Sequence, residues 1–223
     1  MVTRWWRSPP GEAHRAPSAE RRALEALLLP SADNMAWILA RWDAGRQAAF
    51  VARMNATARR LGMTGTSYTD PSGLDPSTIS TAADQVRLGM AAMRVAPLAA
   101  IAAESTAVLP VAGVVRNTNT LLGQDGIVGL KTGSTQAAGG CLLVAAWQEV
   151  NGHNALIVAA NFGQPGTAGT ILPNALQVGH KLVHALDTAL DPGVQPGSRD
   201  NSEGPPQGPG RARDDQKAPP ALG

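Results

Sequence analysis

The stretch GIVGLKTGSTQAAGGCLLVAA, residues 126–146, decides the fold class of this 223-residue chain. Apolar residues at 126–130 predict one strand, and the almost continuous apolar run at 141–150 predicts a second. A third strand is predicted at 155–162, and Asn151-Gly152 before it is typical of a two-residue hairpin turn. This part of the chain therefore predicts an antiparallel sheet.

Five helices are predicted around these strands, four before them and one after. The first ends over residues 23–29, and the others cover residues 33–44, 46–60, about 82–94 and about 171–190. Pro30 stops the first helix, and Thr81 with Asp84 three residues later is a capping signal for the fourth. Residues 106–116 predict short extended pieces. Helices followed by strands and a final helix indicate the α+β class, with helices packed on an antiparallel sheet.

Composition and charge limit the classes of function. Hydrophobic residues make up 43% of the chain, which is typical of a globular protein. No apolar run approaches the ~18 residues that a membrane span needs, and the single Cys141 excludes an internal disulfide framework. Residues 1–22 carry five Arg and two Glu, which is more positive charge than the formal net charge of +2. The rest of the chain is not basic, which argues against a nucleic-acid partner.

The chain is predicted to have one domain between two unstructured ends. Residues 1–22 form a basic arm, residues 23–191 form the domain, and residues 192–223, with seven Pro and six Gly, form a disordered tail. The arm lacks the apolar core of a signal peptide. If Met1 is the true start, the sequence on its own predicts a cytoplasmic chain.

Lys131-Thr132-Gly133 is the first candidate site, and the sequence places it where a strand meets a glycine-rich turn. A lysine beside a strand edge can present a compact positive charge, and an adjacent hydroxyl can share a bound carboxylate. A glycine next to them lets another backbone approach closely. These residue types predict binding of an extended peptide that ends in a free carboxylate. The alternative interpretation is a solvated lysine before a turn.

LLLPSADN, residues 27–34, is the second candidate site. Ser31 could relay a proton, and Asp33 or Asn34 could orient a substrate amide. The alternative is structural, because serine is a natural N-cap and an acidic residue in the first turn favours the helix dipole. The local pattern leaves both interpretations open.

Three stretches of the chain are LLLPSADNMAWILA (27–40), NATARRLGMTGTSYTDPSGLD (55–75) and the stretch at 126–146. Together they resemble the D-alanyl-D-alanine carboxypeptidases, which are serine-type, low-molecular-mass penicillin-binding proteins. The resemblance covers about residues 20–190 and rests on motif order and on the interval of 100 residues between Ser31 and Lys131. It implies a β-lactamase/transpeptidase-like fold and removal of the terminal D-alanine of peptidoglycan stem peptides, with no cofactor or metal. Such enzymes act in the cell envelope, and complete forms bind β-lactams.

The three motifs of the family are only partly present. K-T-G stands at residues 131–133, and S-x-N stands at residues 31–33 with Asp in place of Asn. S-x-x-K is absent, because no lysine of this chain has a serine three positions before it. The resemblance places that motif before Met1. It implies an N-terminally truncated member whose sheet lacks its N-terminal strands and the helix that bears S-x-x-K.

The resemblance also assigns roles to residues of this chain. Ser31 joins the proton relay, and Asp33 stands where the family has an amide that orients the substrate. Lys131 and Thr132 bind the terminal carboxylate, with Gly133 beside them. The backbone N–H of Ser134 is one oxyanion donor. The nucleophilic serine is not in this chain, which is therefore expected to be inactive alone.

Two other functions remain open at this point. The chain could be a non-catalytic protein that uses Lys131 to bind D-Ala-terminated peptides, or it could be a hydrolase related to the β-lactamases.

Two residue pairs have structural explanations. His180 and His184 have the i, i+4 spacing of metal ligands, but Lys181 occupies the place of the glutamate in H-E-x-x-H, so surface histidines are predicted. Trp37 and Trp42 are predicted to pack against other elements rather than to bind a ligand.

Overall fold

The computed structural model describes residues 18–190, so most of the predicted arm and the predicted tail at 192–223 lie outside the described residues. The first helix, α1 (Ala19–Leu28), begins inside the predicted arm. Ser18 caps it by accepting a hydrogen bond from the backbone N–H of Arg21. Arg21 and Arg22 form ion pairs with the buried Glu25. These contacts hold residues 19–22 on the helix, so they belong to the domain and not to the arm.

Five more helices and five strands follow α1 in residues 29–190. They are α2 (Asp33–Ala44), α3 (Gln47–Arg60), α4 (Ala82–Met93), α5 (Ala96–Ala102), β1 (Thr106–Leu109), β2 (Gly113–Arg116), β3 (Ile127–Thr135), β4 (Gly139–Val150), β5 (His153–Gln164) and α6 (Ile171–Leu190). The helices predicted at 33–44, 46–60 and 171–190 are confirmed to within one residue. The capping signal of α4 is also confirmed, because the Thr81 side chain accepts a hydrogen bond from the N–H of Asp84.

The central sheet is antiparallel. Its strand order is β3-β4-β5, and β1 pairs with β2 in a separate ribbon. The turn between β4 and β5 is the predicted two-residue turn, with Val150 opposite His153 and positive φ at Asn151 and Gly152. Among the described residues, β3 and β5 are the two edges of the sheet. The predicted class, α+β with helices on an antiparallel sheet, is confirmed.

β3 is longer than the sequence predicts. The turn expected at Lys131-Thr132-Gly133 does not occur, and the strand continues to Thr135, which lies opposite Gly139. The glycine of the motif stays in the ladder opposite Cys141, because β4 supplies a backbone partner for each of these residues. The motif therefore lies inside an edge strand, and the turn follows at residues 136–138.

Helices cover both faces of the sheet. On one face, α6 packs against β4, where Leu142 is fully buried. A Cβ at Gly140 would lie 2.2 Å from the carbonyl oxygen of Ile171, so only glycine allows the helix to approach the strand so closely. On the other face, Ala102 of α5 and Leu130 of β3 belong to a second buried cluster. The sheet that carries the candidate site is thus supported from both sides.

Two helices differ from the predictions. α5 is not among the predicted helices, because its seven residues are too few for a helical repeat to be recognised; Pro97 in its first turn is compatible with a helix start. Trp37 and Trp42 of α2 are 36% and 60% exposed, so Trp37 is largely covered, whereas Trp42 is more exposed than the packing prediction implies. The reason is that α2 buries its small residues, Ala36 and Ala40, instead.

None of the helices within residues 18–190 is long and apolar enough to cross a membrane.

Candidate active site

A pocket of about 400 Å³ lies beside the edge of β3 that faces away from β4. Its walls come from the corner before α2 (residues 30–33), the loop at 72–74, residues 131–135, and the single residues Thr118 and Leu172. The pocket brings together all six residues that the sequence predicts for the site. They are Ser31, Asp33, Lys131, Thr132, Gly133 and Ser134.

The two motifs meet through one hydrogen bond. Lys131 Nζ donates to Ser31 Oγ at 2.8 Å, although the two residues are 100 positions apart. Nζ also donates to the carbonyl oxygen of Thr132 at 2.6 Å. An ammonium group has three N–H donors, so one remains to bind a ligand oxygen. The alternative of a solvated lysine before a turn is therefore wrong.

Ser31 has a backbone conformation that is uncommon for a residue with a side chain. Its φ is 61°, in the left-handed region where strain often accompanies a functional site. The N-cap of α2 is Ala32, which makes no side-chain capping bond. The N-cap interpretation of Ser31 is wrong, because its hydroxyl accepts from Lys131 and does not cap the helix.

Asp33 is the first residue of α2, and it lines the pocket with Lys131. Asn34 is exposed and is not part of the pocket wall. Of these two candidates, the aspartate is therefore the one that lines the pocket. An ionised carboxylate only accepts hydrogen bonds, so this position can bind an N–H group but cannot donate to a carbonyl.

Burial dominates the electrostatics of Lys131. Removal from water disfavours the ammonium and lowers the pKa of Lys131 from 10.5 to about 8, while the charge of Asp33 acts in the opposite direction. The side chain is mostly protonated at neutral pH and becomes neutral after a small rise in pH. Such a group can attract a carboxylate and can also exchange a proton with the Ser31 hydroxyl.

The other residues of the K-T-G motif, and Ser134 after it, differ in exposure. Thr132 is 5% exposed, and its Oγ1 lies 2.6 Å from Oγ1 of Thr118. Gly133 is half-buried, and Ser134 is exposed. A ligand beside β3 therefore meets the backbone at the rim and a pair of hydroxyls deeper in the pocket.

Thr118 is a pocket residue that the sequence patterns did not identify. It lies between β2 and β3 in a loop that two buried asparagines hold together. Asn117 Oδ1 accepts from the backbone N–H of Asn119, and Asn119 Nδ2 donates to the carbonyl oxygen of Gly129. The sequence signal that could have identified Thr118 is Asn117-Thr118-Asn119. Asparagine side chains that hydrogen-bond to buried backbone groups hold a loop in one conformation.

The loop at 72–74 is ordered by the buried Asp70. The Asp70 carboxylate accepts from the backbone N–H groups of Ser72 and Gly73, both at 3.0 Å, and from the Ser72 hydroxyl. Burial raises the pKa of Asp70, but the hydrogen bonds from Ser72, Gly73 and the backbone of Asp75 outweigh it and hold the pKa below its usual value. Leu74 and Leu172 add apolar surface to the pocket.

A family model described as D-alanyl-D-alanine carboxypeptidase, peptidase family S11, matches residues 17–161. The chain belongs to this family. D-alanyl-D-alanine carboxypeptidase DacB2 of Mycobacterium tuberculosis is 38% identical to this chain over 161 residues. The match covers 69% of this chain and 53% of DacB2. A D-alanyl-D-alanine endopeptidase of Escherichia coli is 34% identical over 156 residues, or 65% of the chain and 49% of that protein. The chain spans about half the length of these relatives.

Solved structures agree with the family. A D-alanyl-D-alanine carboxypeptidase from Mycobacterium tuberculosis superposes with a TM-score of 0.64 at 31% identity, covering 85% of this chain and 71% of that one. Penicillin-binding protein D2 from Listeria monocytogenes, in its ampicillin-bound form, gives a TM-score of 0.61 at 29% identity, with 74% and 66% covered. The predicted β-lactamase/transpeptidase-like fold is confirmed over this part of the domain.

The structure between residues 18 and 190 contains no group of three His, Cys, Asp or Glu side chains that could hold a metal. His180 Nε2 lies 2.6 Å from Asp125 Oδ2. His184 is one turn further along α6, and its Nδ1 lies 3.4 Å from the Thr188 hydroxyl oxygen. Each histidine therefore has a partner near the surface of the helix.

Proposed function

We propose that this member of the D-alanyl-D-alanine carboxypeptidase family binds the D-Ala-D-Ala end of a peptidoglycan stem peptide along β3. The observation that carries the proposal is the hydrogen bond between Lys131 and Ser31 in a pocket beside an edge strand. An edge strand offers backbone groups to an extended peptide. The ammonium of Lys131 supplies the charge that a terminal carboxylate needs.

Each residue of the K-T-G motif, together with Ser31 and Ser134, has a part in this proposal. Lys131 and Thr132 bind the terminal carboxylate, and Gly133 lets the peptide backbone come close. Ser31 passes a proton toward the leaving amine in the serine-type reaction. The N–H of Ser134 binds the carbonyl oxygen of the scissile bond while negative charge develops on it.

Asp33 is proposed to orient the same peptide. Its carboxylate accepts a hydrogen bond from a backbone N–H of the substrate, where an amide would donate to a carbonyl. This choice of partner favours an extended peptide whose N–H points to α2.

The complete reaction needs a serine nucleophile. Its oxygen attacks the carbonyl carbon of the penultimate D-alanine and releases the terminal D-alanine, and water then cleaves the acyl-enzyme. The 223 residues contain no serine three positions before a lysine, which is the arrangement of that nucleophile in the family. This chain alone is therefore proposed to bind the peptide without cleaving it.

Isothermal titration of the full chain tests the binding. The ligand is diacetyl-L-lysyl-D-alanyl-D-alanine, and the matched control ligand ends in L-alanyl-L-alanine. Wild type should bind the D-form, and Lys131→Ala should lose at least tenfold in affinity because the charge is removed. Lys181→Ala, at an exposed position of α6, should bind like wild type. Equal affinity for both ligands, or an unaffected Lys131→Ala variant, would contradict the proposal.

Mass spectrometry tests the absence of covalent chemistry. Incubation with benzylpenicillin should leave the mass of the chain unchanged, and incubation with the peptide should release no D-alanine. A mass increase of one penicillin per chain would mean that another nucleophile is present.

A second candidate is a binding protein that has no catalytic role. The intact K-T-G strand without S-x-x-K favours it. Peptide binding by this chain, together with no D-alanine release when a longer form of the protein is assayed, would select the binding protein. A β-lactamase-related hydrolase is a third possibility, for which nitrocefin hydrolysis is the assay. In each case the proposed place of action is the cell envelope, where peptidoglycan lies.

A further inference from the structure

Thr118 connects the two halves of the site. Its backbone N–H and its hydroxyl both donate to the carbonyl oxygen of Leu29, at 3.0 Å and 3.1 Å. Leu29 is two residues before Ser31. The Thr118 hydroxyl oxygen also lies 2.6 Å from Oγ1 of Thr132. One threonine therefore contacts both the corner that carries Ser31 and the strand that carries Lys131.

The chemistry of the partners determines which hydroxyl donates. A carbonyl oxygen can only accept, so the Thr118 proton is directed to Leu29. Thr132 must then donate its own proton to Thr118. Thr132 is 5% exposed, so without this acceptor its hydroxyl would be a buried donor with no partner.

We propose that Thr118 is a positioning residue of the carboxylate site. By accepting the Thr132 proton, it holds the Thr132 side chain in one rotamer before the ligand arrives. The proposal rests on the function proposed above, because its ligand is the same terminal carboxylate.

Ligand binding reverses the hydrogen bond between the two hydroxyls without leaving a buried group unpaired. Thr132 rotates its proton to the carboxylate, and Thr118 rotates its proton from Leu29 to the Thr132 oxygen. Leu29 keeps the hydrogen bond from the Thr118 N–H. No covalent bond changes. One neutral hydrogen bond is exchanged for a charge-assisted one, which is the stronger kind.

Loss of the Thr118 hydroxyl should weaken carboxylate binding. In Thr118→Val the buried Thr132 hydroxyl must rotate to find another acceptor, and it must rotate back before it can bind the ligand. We expect affinity for diacetyl-L-lysyl-D-alanyl-D-alanine to fall about fivefold, the effect of one ordinary hydrogen bond. Thr118→Ser keeps the hydroxyl and should restore the affinity.

The matched control is Thr120→Val. Thr120 is in the same loop, two residues further on, and is exposed. The same substitution there should leave the affinity unchanged. Titration of the three variants and wild type at one pH gives the comparison.

A second measurement reports on Thr132 itself. Three-bond NMR couplings to its methyl carbon should show one χ1 rotamer in wild type and in Thr118→Ser, and averaged rotamers in Thr118→Val. A role of Thr118 that is only structural would not change the Thr132 rotamer. If Thr118→Val does not fold, an averaged Thr132 rotamer in wild type still overturns the proposal.

The outcomes separate this proposal from the function on which it rests. If wild type binds the peptide and Thr118→Val binds it equally well, Thr118 has no positioning role and the proposed function stands. If Thr118→Ser is as weak as Thr118→Val, the hydroxyl is not responsible and the proposal is overturned. If wild type does not bind the peptide, the proposed function fails, and this inference fails with it.

Discussion

Replacing Lys131 with methionine should stabilise the domain at neutral pH, although it removes a residue of the proposed site. Methionine has a similar length and has no charge that requires water. Burial lowers the pKa of Lys131 from 10.5 to about 8 in the folded protein, so folding disfavours the ammonium form. The variant is not subject to this cost, but it also lacks the two hydrogen bonds that Lys131 Nζ donates.

The size of the effect follows from the pKa. The difference between 10.5 and about 8, at ~1.4 kcal/mol per pH unit, lowers the free energy of unfolding by about 3 kcal/mol at pH 7. Between pH 8 and 10.5 the unfolded chain holds the proton more tightly than the folded chain does. The cost of Lys131 therefore decreases as the pH rises through this window, and at pH 10 it is below about 1 kcal/mol.

Urea unfolding followed by far-UV circular dichroism at pH 7, 9 and 10 measures this difference. Lys131→Met should exceed wild type by about 1 kcal/mol at pH 7 and fall below it by about 1 kcal/mol at pH 10, because methionine avoids the cost of the buried charge but lacks the two hydrogen bonds of Nζ, each worth about 1 kcal/mol. Lys181→Met, at an exposed position of α6, is the control and should differ from wild type by less than about 0.5 kcal/mol at each pH. A Lys131→Met protein that is less stable than wild type at pH 7, or a difference that does not change with pH, would refute the reasoning.

Three further predictions concern the site and its supports. Peptide affinity should fall as the pH rises through 8, because Lys131 loses its charge there, and titrations from pH 7 to 10 measure this. Gly126→Ala should lower the free energy of unfolding in urea by more than about 3 kcal/mol, because its Cβ would lie 2.1 Å from the Trp147 carbonyl oxygen. Gly123 also has positive φ but has open space around it, so Gly123→Ala should lower the free energy of unfolding by about 1 kcal/mol. Thr81→Ala should lower stability by about 1 kcal/mol, while Thr81→Ser should not.

The parts of the fold that the sequence predicts are those with local signals. The β4–β5 hairpin depends on two adjacent residues that accept positive φ, Asn151 and Gly152. The start of α4 depends on a threonine hydroxyl and an N–H three residues later. Such contacts are complete within a few residues, so a sequence pattern can specify them.

The parts that the sequence does not predict depend on distant partners. The glycine of the K-T-G motif favours a turn by its own preference, but the ladder with β4 keeps it extended. Motif order indicates that Ser31 and Lys131 belong to one site, yet their direct hydrogen bond depends on how α2 meets the sheet. Thr118 is also not predicted by a local pattern, because its role comes from contacts with Leu29 and Thr132, and neither is near it in the sequence.

The 100 positions between Ser31 and Lys131 also bear on the order of folding. The β4–β5 hairpin closes a loop of two residues, whereas the pairing of Ser31 with Lys131 closes one of about a hundred. The entropy of closure grows with loop length, so the hairpin can form early and the corner before α2 docks late. We therefore expect the ability to bind a peptide to be acquired in the last folding step and to be lost in the first step of unfolding.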